Sequence, residues 1–164
     1  MNVRRLIMTA LSLATLSLAP APEAVAATAD EWTRCRERAA RVEILRDGWG
    51  IAHVYGESDA DAVFGLLYAQ AEDDLPRIEM NYLGVLGRVA EVEGESALSR
   101  DLRARLFVNE DTLRAQYAAS PAWLRALMDA FADGLNWYLH THPAVKLKLL
   151  TRFEPWMEIG RAHV

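Results

Sequence analysis

The hydrophobic period of the chain changes at Gly56, and this change limits the possible folds more than any other feature. Two short runs of β-forming residues, at 42–46 and 51–55, precede it and are joined by Asp47-Gly48-Trp49-Gly50. Asp-Gly between such runs is typical of a β-hairpin, because glycine adopts the positive φ that tight turns require. After Gly56 the apolar residues recur mostly at helical spacing. The sequence therefore predicts an N-terminal hairpin followed by helices.

The helical part begins with a long segment that a proline interrupts. Ser58, with Asp61 three residues later, resembles a capping box, so a helix is predicted to start near Asp59. Pro76 does not suit the interior of an unbroken helix, but it suits the first turn of one. Two helices are therefore predicted, the second from about Pro76 to Val89.

Two further helices are predicted in the second half of the chain. Gly94 ends the preceding unit, and a more polar helix is expected from Leu98 to Tyr117. Ser120 and Pro121 fit the N-cap and first position of the next helix, which ends near residues 140–143. That helix carries the most regular amphipathic stripe, formed by Leu124, Leu127, Met128, Phe131, Leu135, Tyr138 and Leu139. The predicted fold class is α+β, mostly helical with an N-terminal β-hairpin.

The composition fits one globular domain and excludes one broad function class. Hydrophobic residues make up 52% and charged residues 25% of the 164 residues, which is enough for a real core. The net charge is −5 and the pI is about 5.4, whereas a nucleic-acid-binding protein normally presents a basic face. Nucleic acid is therefore not an expected partner.

The first residues have the pattern of a secretory signal peptide. Two arginines precede an apolar stretch at 6–19, and small residues at 24–26 form a cleavage site. An uncleaved anchor is disfavoured because the apolar stretch is short for a membrane span, so no stable membrane anchor is expected. Residues 1–26 are predicted to be the signal peptide and residues 27–41 a charged leader segment. The mature protein is expected to be exported, either periplasmic or secreted.

The single cysteine, Cys35, cannot form an internal disulfide. Its neighbours Arg34 and Arg36 would lower the thiol pKa, which is one requirement for a reactive cysteine. A lone cysteine among charged residues near a processed terminus is more often incidental, and this second interpretation is favoured.

The four histidines do not form a recognisable metal site. His53, His140, His142 and His163 include no H-x-x-x-H pair with a nearby carboxylate, so zinc is not expected. His140 and His142 lie at a predicted helix end, where cationic side chains interact favourably with the helix dipole. His53 alternates within a strand and is predicted to be hydrogen-bonded and partly buried.

The densest carboxylate cluster consists of Glu72, Asp73 and Asp74, with Glu79 nearby. It suggests calcium binding or paired-acid catalysis only weakly, because calcium loops alternate their ligands and this cluster is contiguous. Capping of the helix that starts at Pro76 explains the cluster without a metal and is the favoured interpretation.

The sequence contains no G-x-S-x-G elbow, Walker loop or G-x-G-x-x-G motif. No catalytic, cofactor-binding or metal-binding residue is therefore assigned from the residues alone. They predict an exported, mostly helical domain with a hairpin.

The order of several blocks adds a family resemblance to this picture. Residues 42–56, VEILRDGWGIAHVYG, resemble the opening of the penicillin acylase family, whose members begin V-x-I-x-R-D-x-x-G-[VI]-P-H-[IV]-Y. Residues 132–138, ADGLNWY, resemble the family's A-D-G-x-N-x-[WY] segment. Further matching blocks lie at 58–65, 69–75, 78–80 and 86–94. The resemblance covers roughly residues 42–156.

Three departures limit the resemblance. Ala52 stands where the family usually has proline, and EDDLP at 72–76 replaces the commoner A-Q-D-R-L-aromatic sequence. The second departure suggests a subgroup and leaves the substrate open. The third departure is that the chain ends early.

The resemblance implies an N-terminal nucleophile hydrolase with an αββα sandwich fold in its full-length form. Family members are exported precursors, cleaved into α and β chains, that hydrolyse linear amides such as β-lactam side chains or other N-acyl substrates. The nucleophile is the N-terminal serine of the β chain, and its own amino group acts as the base. These residues, the pocket lining and the ligands of a calcium ion in the full-length protein are implied to follow residues 153–156. Residues 42–158 would then be a partial α-chain region, inactive alone, whose partners are the β chain and a small N-acylated substrate.

The last residues, 159–164, match one reading frame of a widely used sequencing adapter. Met157 or Glu158 is therefore predicted to be the last native residue. The competing interpretation of the whole chain is a small exported helical protein that binds a ligand or partner through the stripe at 124–139.

Overall fold

The computed structural model describes residues 28–161, with the side chain of Arg161 excluded. The predicted signal peptide, His163 and the last three residues of the chain lie outside this range. The elements are α1 (Ala29–Ala39), β1 (Val42–Arg46), β2 (Ala52–Gly56), α2 (Asp59–Val85), α3 (Ala90–Glu93), a 3-10 turn (Glu95–Ala97), α4 (Leu98–Phe107), α5 (Glu110–Ala119), α6 (Ala122–Thr141) and α7 (Met157–Arg161). The prediction of a mostly helical fold with one hairpin is confirmed.

The hairpin forms where the sequence predicts it. Its strands are antiparallel, with Val42 opposite Gly56 and Arg46 opposite Ala52. The Asp47 carboxylate accepts the backbone N–H groups of Trp49 and Ile51 at 2.9 and 3.0 Å, which closes the loop. The positive φ of 82° falls at Gly50, the second glycine of the loop, and not at the Asp-Gly step.

The helix α2 starts and kinks as the sequence predicts. The Ser58 hydroxyl accepts the N–H of Asp61 at 3.2 Å, as an N-cap does. Two residues before Pro76 the backbone of Asp74 leaves helical geometry, with φ −160° and ψ 66°. The Asp74 carboxylate then accepts the N–H of Arg77 at 3.1 Å and caps the second segment. The segment ends at Val85 and not at the predicted Val89, because the chain turns through Gly87 with φ 61°.

The single helix predicted over Leu98–Tyr117 is wrong, because two helices occupy this region. Val108 and Asn109 have extended backbone conformations between α4 and α5. The Asn109 side chain accepts the N–H of Thr112 at 3.1 Å, so it caps α5 and gives the break a local cause.

The predicted cap of the amphipathic helix is also wrong. Ser120 donates its hydroxyl to the carbonyl of Gln116 at 2.8 Å and so closes α5. Pro121 is the extended residue before α6, which begins at Ala122 without a side-chain cap bond. The predicted end near His140–Pro143 is confirmed, because α6 ends at Thr141.

The predicted leader segment is a helix packed against the rest of the fold. Thr28 caps α1 by accepting the N–H of Glu31 at 3.3 Å. Cys35 of α1 is fully buried with Phe64 and Ala130, and Trp32 packs against this group. The sequence did not indicate α1, because its charged residues hide the few apolar positions that face inward.

Two glycines allow the hairpin, α2 and α6 to approach closely. A Cβ on Gly65 of α2 would lie 2.4 Å from a methyl of Val42 and 2.7 Å from one of Val54, on the inner face of the hairpin. A Cβ on Gly134 of α6 would lie 2.4 Å from the carbonyl oxygen of Phe64. The pair of helices α2 and α6 is therefore the centre of the molecule. The main core around it comprises Leu67, Ala71, Leu75, Tyr82, Leu83, Val89, Ala97, Val108, Leu113, Ala132, Leu135, Leu150, Phe153, Trp156 and Met157.

The short helix α7 closes one end of the main core. Gly160 is buried, and a Cβ there would lie 2.5 Å from a methyl of Val85 and 3.2 Å from one of Leu113. The adapter origin of residues 159–164 stays a prediction. Among residues 28–161, no helix combines the length and apolar character that crossing a membrane requires.

Candidate functional site

The carboxylates that form a cluster in the sequence take two different roles in the structure. Arg46 of β1 binds Glu72 at 3.0 Å and Asp73 at 3.0 Å, which ties the hairpin to α2. Asp74 caps the segment after the kink and forms an ion pair with Arg77 at 2.8 Å. The favoured interpretation, a helix boundary, is confirmed for Asp74. Within residues 28–161, no group of three or more His, Cys, Asp or Glu residues is arranged to hold a metal ion.

Glu79 has a structural role that the sequence did not indicate. Its side chain is buried, with 1% of the residue exposed. Its carboxylate accepts three consecutive backbone N–H groups, from Lys148 at 2.7 Å, Leu149 at 2.8 Å and Leu150 at 3.0 Å. A carboxylate with three donors is well satisfied in a buried position. Glu79 therefore fixes an irregular segment that follows α6.

The A-D-G-x-N block builds three contacts of α6 with its surroundings. Asp133 forms a two-pronged pair with Arg34 of α1, at 2.9 and 3.2 Å. Gly134 makes room for the backbone of α2. Asn136 donates to the carbonyl of Phe153 and accepts its N–H, both at 2.9 Å. Asp133, Gly134 and Asn136 thus each bring another part of the chain against α6.

A network of arginines and two buried aspartates joins α1, α2 and α6. Arg41 forms a two-pronged hydrogen bond with Asp61, at 2.9 and 3.0 Å. Arg38 lies between the two acids, 3.5 Å from Asp61 and 3.6 Å from Asp133. The hydrogen bond from Arg41 holds the pKa of Asp61 below its usual value, and the Ser58 hydroxyl and Arg38 add to this effect.

This arginine network was missed in the sequence, although it has a signal there. Arg34, Arg38 and Arg41 recur at spacings of four and three, which places them along one side of a helix and the turn that follows it. The acids they meet are 20 to 99 residues away in the chain. Only the tertiary structure shows that they pair.

Residues of the 86–94 block fix α4 against the end of α2. The Asp101 carboxylate accepts the N–H of Ala90 at 2.6 Å, and the Arg105 guanidinium donates to the carbonyl of Gly87 at 2.9 Å. Arg88 and Glu91 pair at 2.7 Å on the surface. The block therefore forms the corner between α2 and α4.

Cys35 is a core residue, and the idea that its arginine neighbours activate it is wrong. Burial raises the pKa of the Cys35 thiol to about 12, with a further contribution from Asp133. Arg34 acts in the opposite direction, but its effect is smaller than that of burial. The thiol is therefore protonated at neutral pH and inaccessible. The interpretation of Cys35 as incidental is also corrected, because it fills the second core cluster.

The histidines occupy three different environments. His53 lies on the outer face of the hairpin, 3.3 Å from Asp47, so it is hydrogen-bonded as predicted but exposed and not partly buried. His142 reaches back to the carbonyl of Tyr138 at 3.0 Å, which confirms its predicted role at the helix end. His140 stacks on Trp32 and Trp137, with ring centroids 4.1 and 5.2 Å away.

The stripe predicted on the amphipathic helix is packed. Leu135 is fully buried, and Phe131, Tyr138 and Leu139 pack against the main core. Met128 is 6% exposed. This part of the stripe holds the fold together and is not a free ligand-binding surface.

Apart from Leu66 and Trp123, the large exposed apolar residues of the described chain lie in two patches. The first, the hairpin patch, consists of Leu45, Trp49, Ile51 and Tyr55 on the outer face and tip of the hairpin. Trp49 is 91% exposed. A shallow cavity of about 350 Å³ lies at the open end of the strands, lined by Arg41, Val42, Glu43, Tyr55 and Glu57 among others. The second patch is on α4.

Comparisons with known proteins agree with the resemblance. The model of the penicillin amidase family matches residues 41–163. The chain is 32% identical over 120 residues to a penicillin acylase 2 proenzyme from Pseudomonas sp. (strain SE83), covering 71% of this chain and 16% of that protein. It is 30% identical over 114 residues to penicillin G acylase from Escherichia coli, covering 68% of this chain and 14% of that protein.

Two further matches extend the comparison. An acyl-homoserine lactone acylase from Pseudomonas putida is 31% identical over 101 residues, covering 62% of this chain and 12% of that protein. The fold also resembles a penicillin G acylase from Alcaligenes faecalis, with a TM-score of 0.62 and 24% identity, over 73% of this chain and 69% of that one.

These findings assign the mostly helical chain, with its N-terminal hairpin, to a family whose named members are acylases. The chain belongs to the penicillin amidase family. It spans 16% or less of the length of the curated relatives described above.

Proposed function

We propose that this chain is the N-terminal part of the α-chain region of an exported amidohydrolase that cleaves the carbon–nitrogen bond of linear N-acyl amides. Its role in that enzyme is to form a scaffold on which the remainder of the precursor folds. The nucleophile belongs to that remainder, so the 164-residue chain has no amidase activity of its own.

The observation that carries the proposal is what the family-like blocks do in the structure. Glu79, Asp133 and Asn136 make internal contacts that hold α1, α2, α6 and the segment after α6 together. Asp61 of the 58–65 block, bonded to Arg41, and Ala90 of the 86–94 block, bonded to Asp101, do the same near the two ends of α2. Because the family motifs of this region make structural contacts, we infer that the region functions together with another part of the protein.

The hairpin patch supports a partner of the same precursor. A two-stranded hairpin is marginal alone and carries unpaired strand edges, which proteins normally pair or cover. The apolar side chains of Leu45, Ile51 and Tyr55 lie on or beside this sheet and are 49% to 60% exposed. We infer that the β-chain region covers them.

The substrate is proposed at the level of chemical class. The relatives are named as penicillin acylases and as acyl-homoserine lactone acylases. The bond that such names share is an amide between an acyl group and an amine. We therefore propose that the substrate is a small N-acylated amine. The same proposal includes a calcium ion, which residues of the complete protein would hold.

Export is proposed from the signal-peptide pattern of residues 1–26. Cleavage there leaves a mature chain that starts just before α1. N-terminal sequencing of protein recovered from the periplasm or medium tests this, and a mature chain that retains Met1 would contradict it.

The central experiment uses the complete reading frame that contains this sequence. The purified product is incubated with phenylacetyl, short-chain and long-chain N-acyl amines, and the released amine is quantified. The complete protein is expected to hydrolyse at least one substrate, and the 164-residue chain none. Turnover by the 164-residue chain would contradict the scaffold role, and a complete protein inactive on every N-acyl amine would contradict the enzyme class.

A further inference from the structure

The second exposed apolar patch is a row of leucines on α4. Leu98, Leu102 and Leu106 are 47%, 59% and 79% exposed and are spaced four residues apart. Side chains at this spacing form one ridge along a helix. We call these three residues the leucine ridge.

The orientation of α4 is fixed, so the ridge cannot turn inward. Asp101 and Ala104, which lie outside the ridge on this helix, are buried. Asp101 accepts the N–H of Ala90 at 2.6 Å, and Arg105 donates to the carbonyl of Gly87 at 2.9 Å. Because these polar contacts hold α4 from one side, the leucines face solvent in this part of the chain.

We propose that the leucine ridge is a packing surface for a helix in the remainder of the precursor. This inference rests on the proposed function and adds a second docking surface to the hairpin patch. Ridges formed by every fourth residue fit into the grooves of another helix, which is the commonest helix packing in globular proteins. The occupant is thus a helix with an apolar face.

The size of the ridge favours an occupant from the same polypeptide. A stable interface between separate proteins buries about 800 Å² on each partner, and three partly exposed leucines offer only a fraction of that. Packing within one polypeptide does not lose the freedom of a second molecule, so a smaller surface suffices. The matched region is 16% of the proenzyme relative, which leaves most of such a protein to supply the helix.

Thiol labelling tests the proposal independently of activity. Leu102→Cys is introduced into the 164-residue chain and into the complete precursor, and the maleimide reaction rate is normalised to that of the unfolded protein. The native Cys35 is fully buried, with its pKa raised to about 12, so it adds little background. Ala115→Cys, at an exposed position on α5, is the matched control.

The expected result is rapid labelling of Leu102→Cys in the 164-residue chain and a rate at least about tenfold lower in the complete precursor. Ala115→Cys should label rapidly in both. Equal labelling of Leu102→Cys in the two proteins would overturn the proposal. Equal protection of both cysteines in the precursor would also overturn it, because the shielding would then not be specific to the ridge.

Other occupants give distinct results. Protection in the 164-residue chain, whether constant or rising with concentration, would show that the chain itself or a second copy covers the ridge. Protection of the precursor only with phosphatidylglycerol vesicles would show a membrane surface. Either result overturns the proposal.

The labelling and activity results can also be told apart. A precursor that hydrolyses N-acyl amines but whose Leu102→Cys labels freely contradicts only the proposal for the leucine ridge. A precursor whose Leu102→Cys is protected but that is inactive contradicts only the proposed function.

Discussion

The α2–α6 centre and the outer surfaces of the hairpin and α4 differ in how completely their groups are satisfied. In the centre, buried polar side chains meet specific partners, as Glu79 and Asn136 show. On the outer surfaces, large apolar side chains such as Trp49 and Leu106 face solvent. The difference teaches that the centre can specify its own structure, whereas the outer surfaces fit the proposed contact with another part of the protein.

The largest expected effect comes from removing the buried carboxylate of Glu79. Glu79→Ala leaves three backbone N–H groups of residues 148–150 without their acceptor. We expect the free energy of unfolding to fall by about 4 kcal/mol, measured by urea denaturation. Glu110→Ala, which removes an exposed carboxylate paired with Arg114, should change it by less than about 0.5 kcal/mol. Similar effects of the two substitutions would contradict the distinction between centre and surface.

Filling the contact between α2 and α6 should have the next largest effect. A Cβ at Gly134 would lie 2.4 Å from the carbonyl oxygen of Phe64, and the backbone cannot yield easily there. Gly134→Ala should therefore destabilise the chain by about 3 kcal/mol, measured by thermal or urea unfolding. Gly48→Ala is the matched control, because nothing lies within 4 Å of its added Cβ. If Gly134→Ala is as stable as the native chain, α2 and α6 must be farther apart than the structure shows.

The Asp61 pair should make the stability of the centre depend on pH. The hydrogen bond from Arg41 lowers the pKa of Asp61 in the folded chain. The ionised carboxylate therefore stabilises the fold at pH values above the pKa of Asp61 in the unfolded chain, which is about 4. This contribution is lost as the pH falls toward the lower pKa of Asp61 in the folded chain. Asp61→Asn should cost about 2 kcal/mol at pH 7.

The same variant should also lose less stability than the native chain when the pH falls below about 4. Unfolding curves at a series of pH values measure this difference. Parallel pH profiles for the two proteins would show that Asp61 does not carry the effect.

The smallest expected effect is on the hairpin patch. Trp49 is 91% exposed, so Trp49→Ser should change the free energy of unfolding of the 164-residue chain by less than about 0.5 kcal/mol. In the complete precursor the same substitution should cost more, because the β-chain region is proposed to cover the patch. Equal, negligible effects in both proteins would argue that the hairpin tip stays uncovered.

The features that the sequence predicted correctly have local causes. The hairpin follows from two β-prone runs and a turn, and the start of α2 follows from Ser58 and Asp61. Pro76 predicts the kink that the structure places at Asp74. In each case the residues that determine the structure lie within a few positions of each other.

The features that were missed depend on partners far away in the chain, or on a local signal that neighbouring residues outweigh. Glu79 meets residues about 70 positions later, and Asp133 meets Arg34, 99 positions earlier. The break at Asn109 did have a local signal, because asparagine is a good N-cap, but the helical residues on both sides obscured it. The family resemblance indicated which residues matter without indicating that their role is internal support.

Hydrogen exchange on the 164-residue chain and the complete precursor tests the comparison between the two regions most directly. The backbone amides of α2 and α6 should be strongly protected in both proteins. The hairpin strands and α4 should exchange quickly in the 164-residue chain and become protected in the precursor. Equal protection of the hairpin and α4 in both proteins would contradict the account, because these surfaces would then need no further part of the protein.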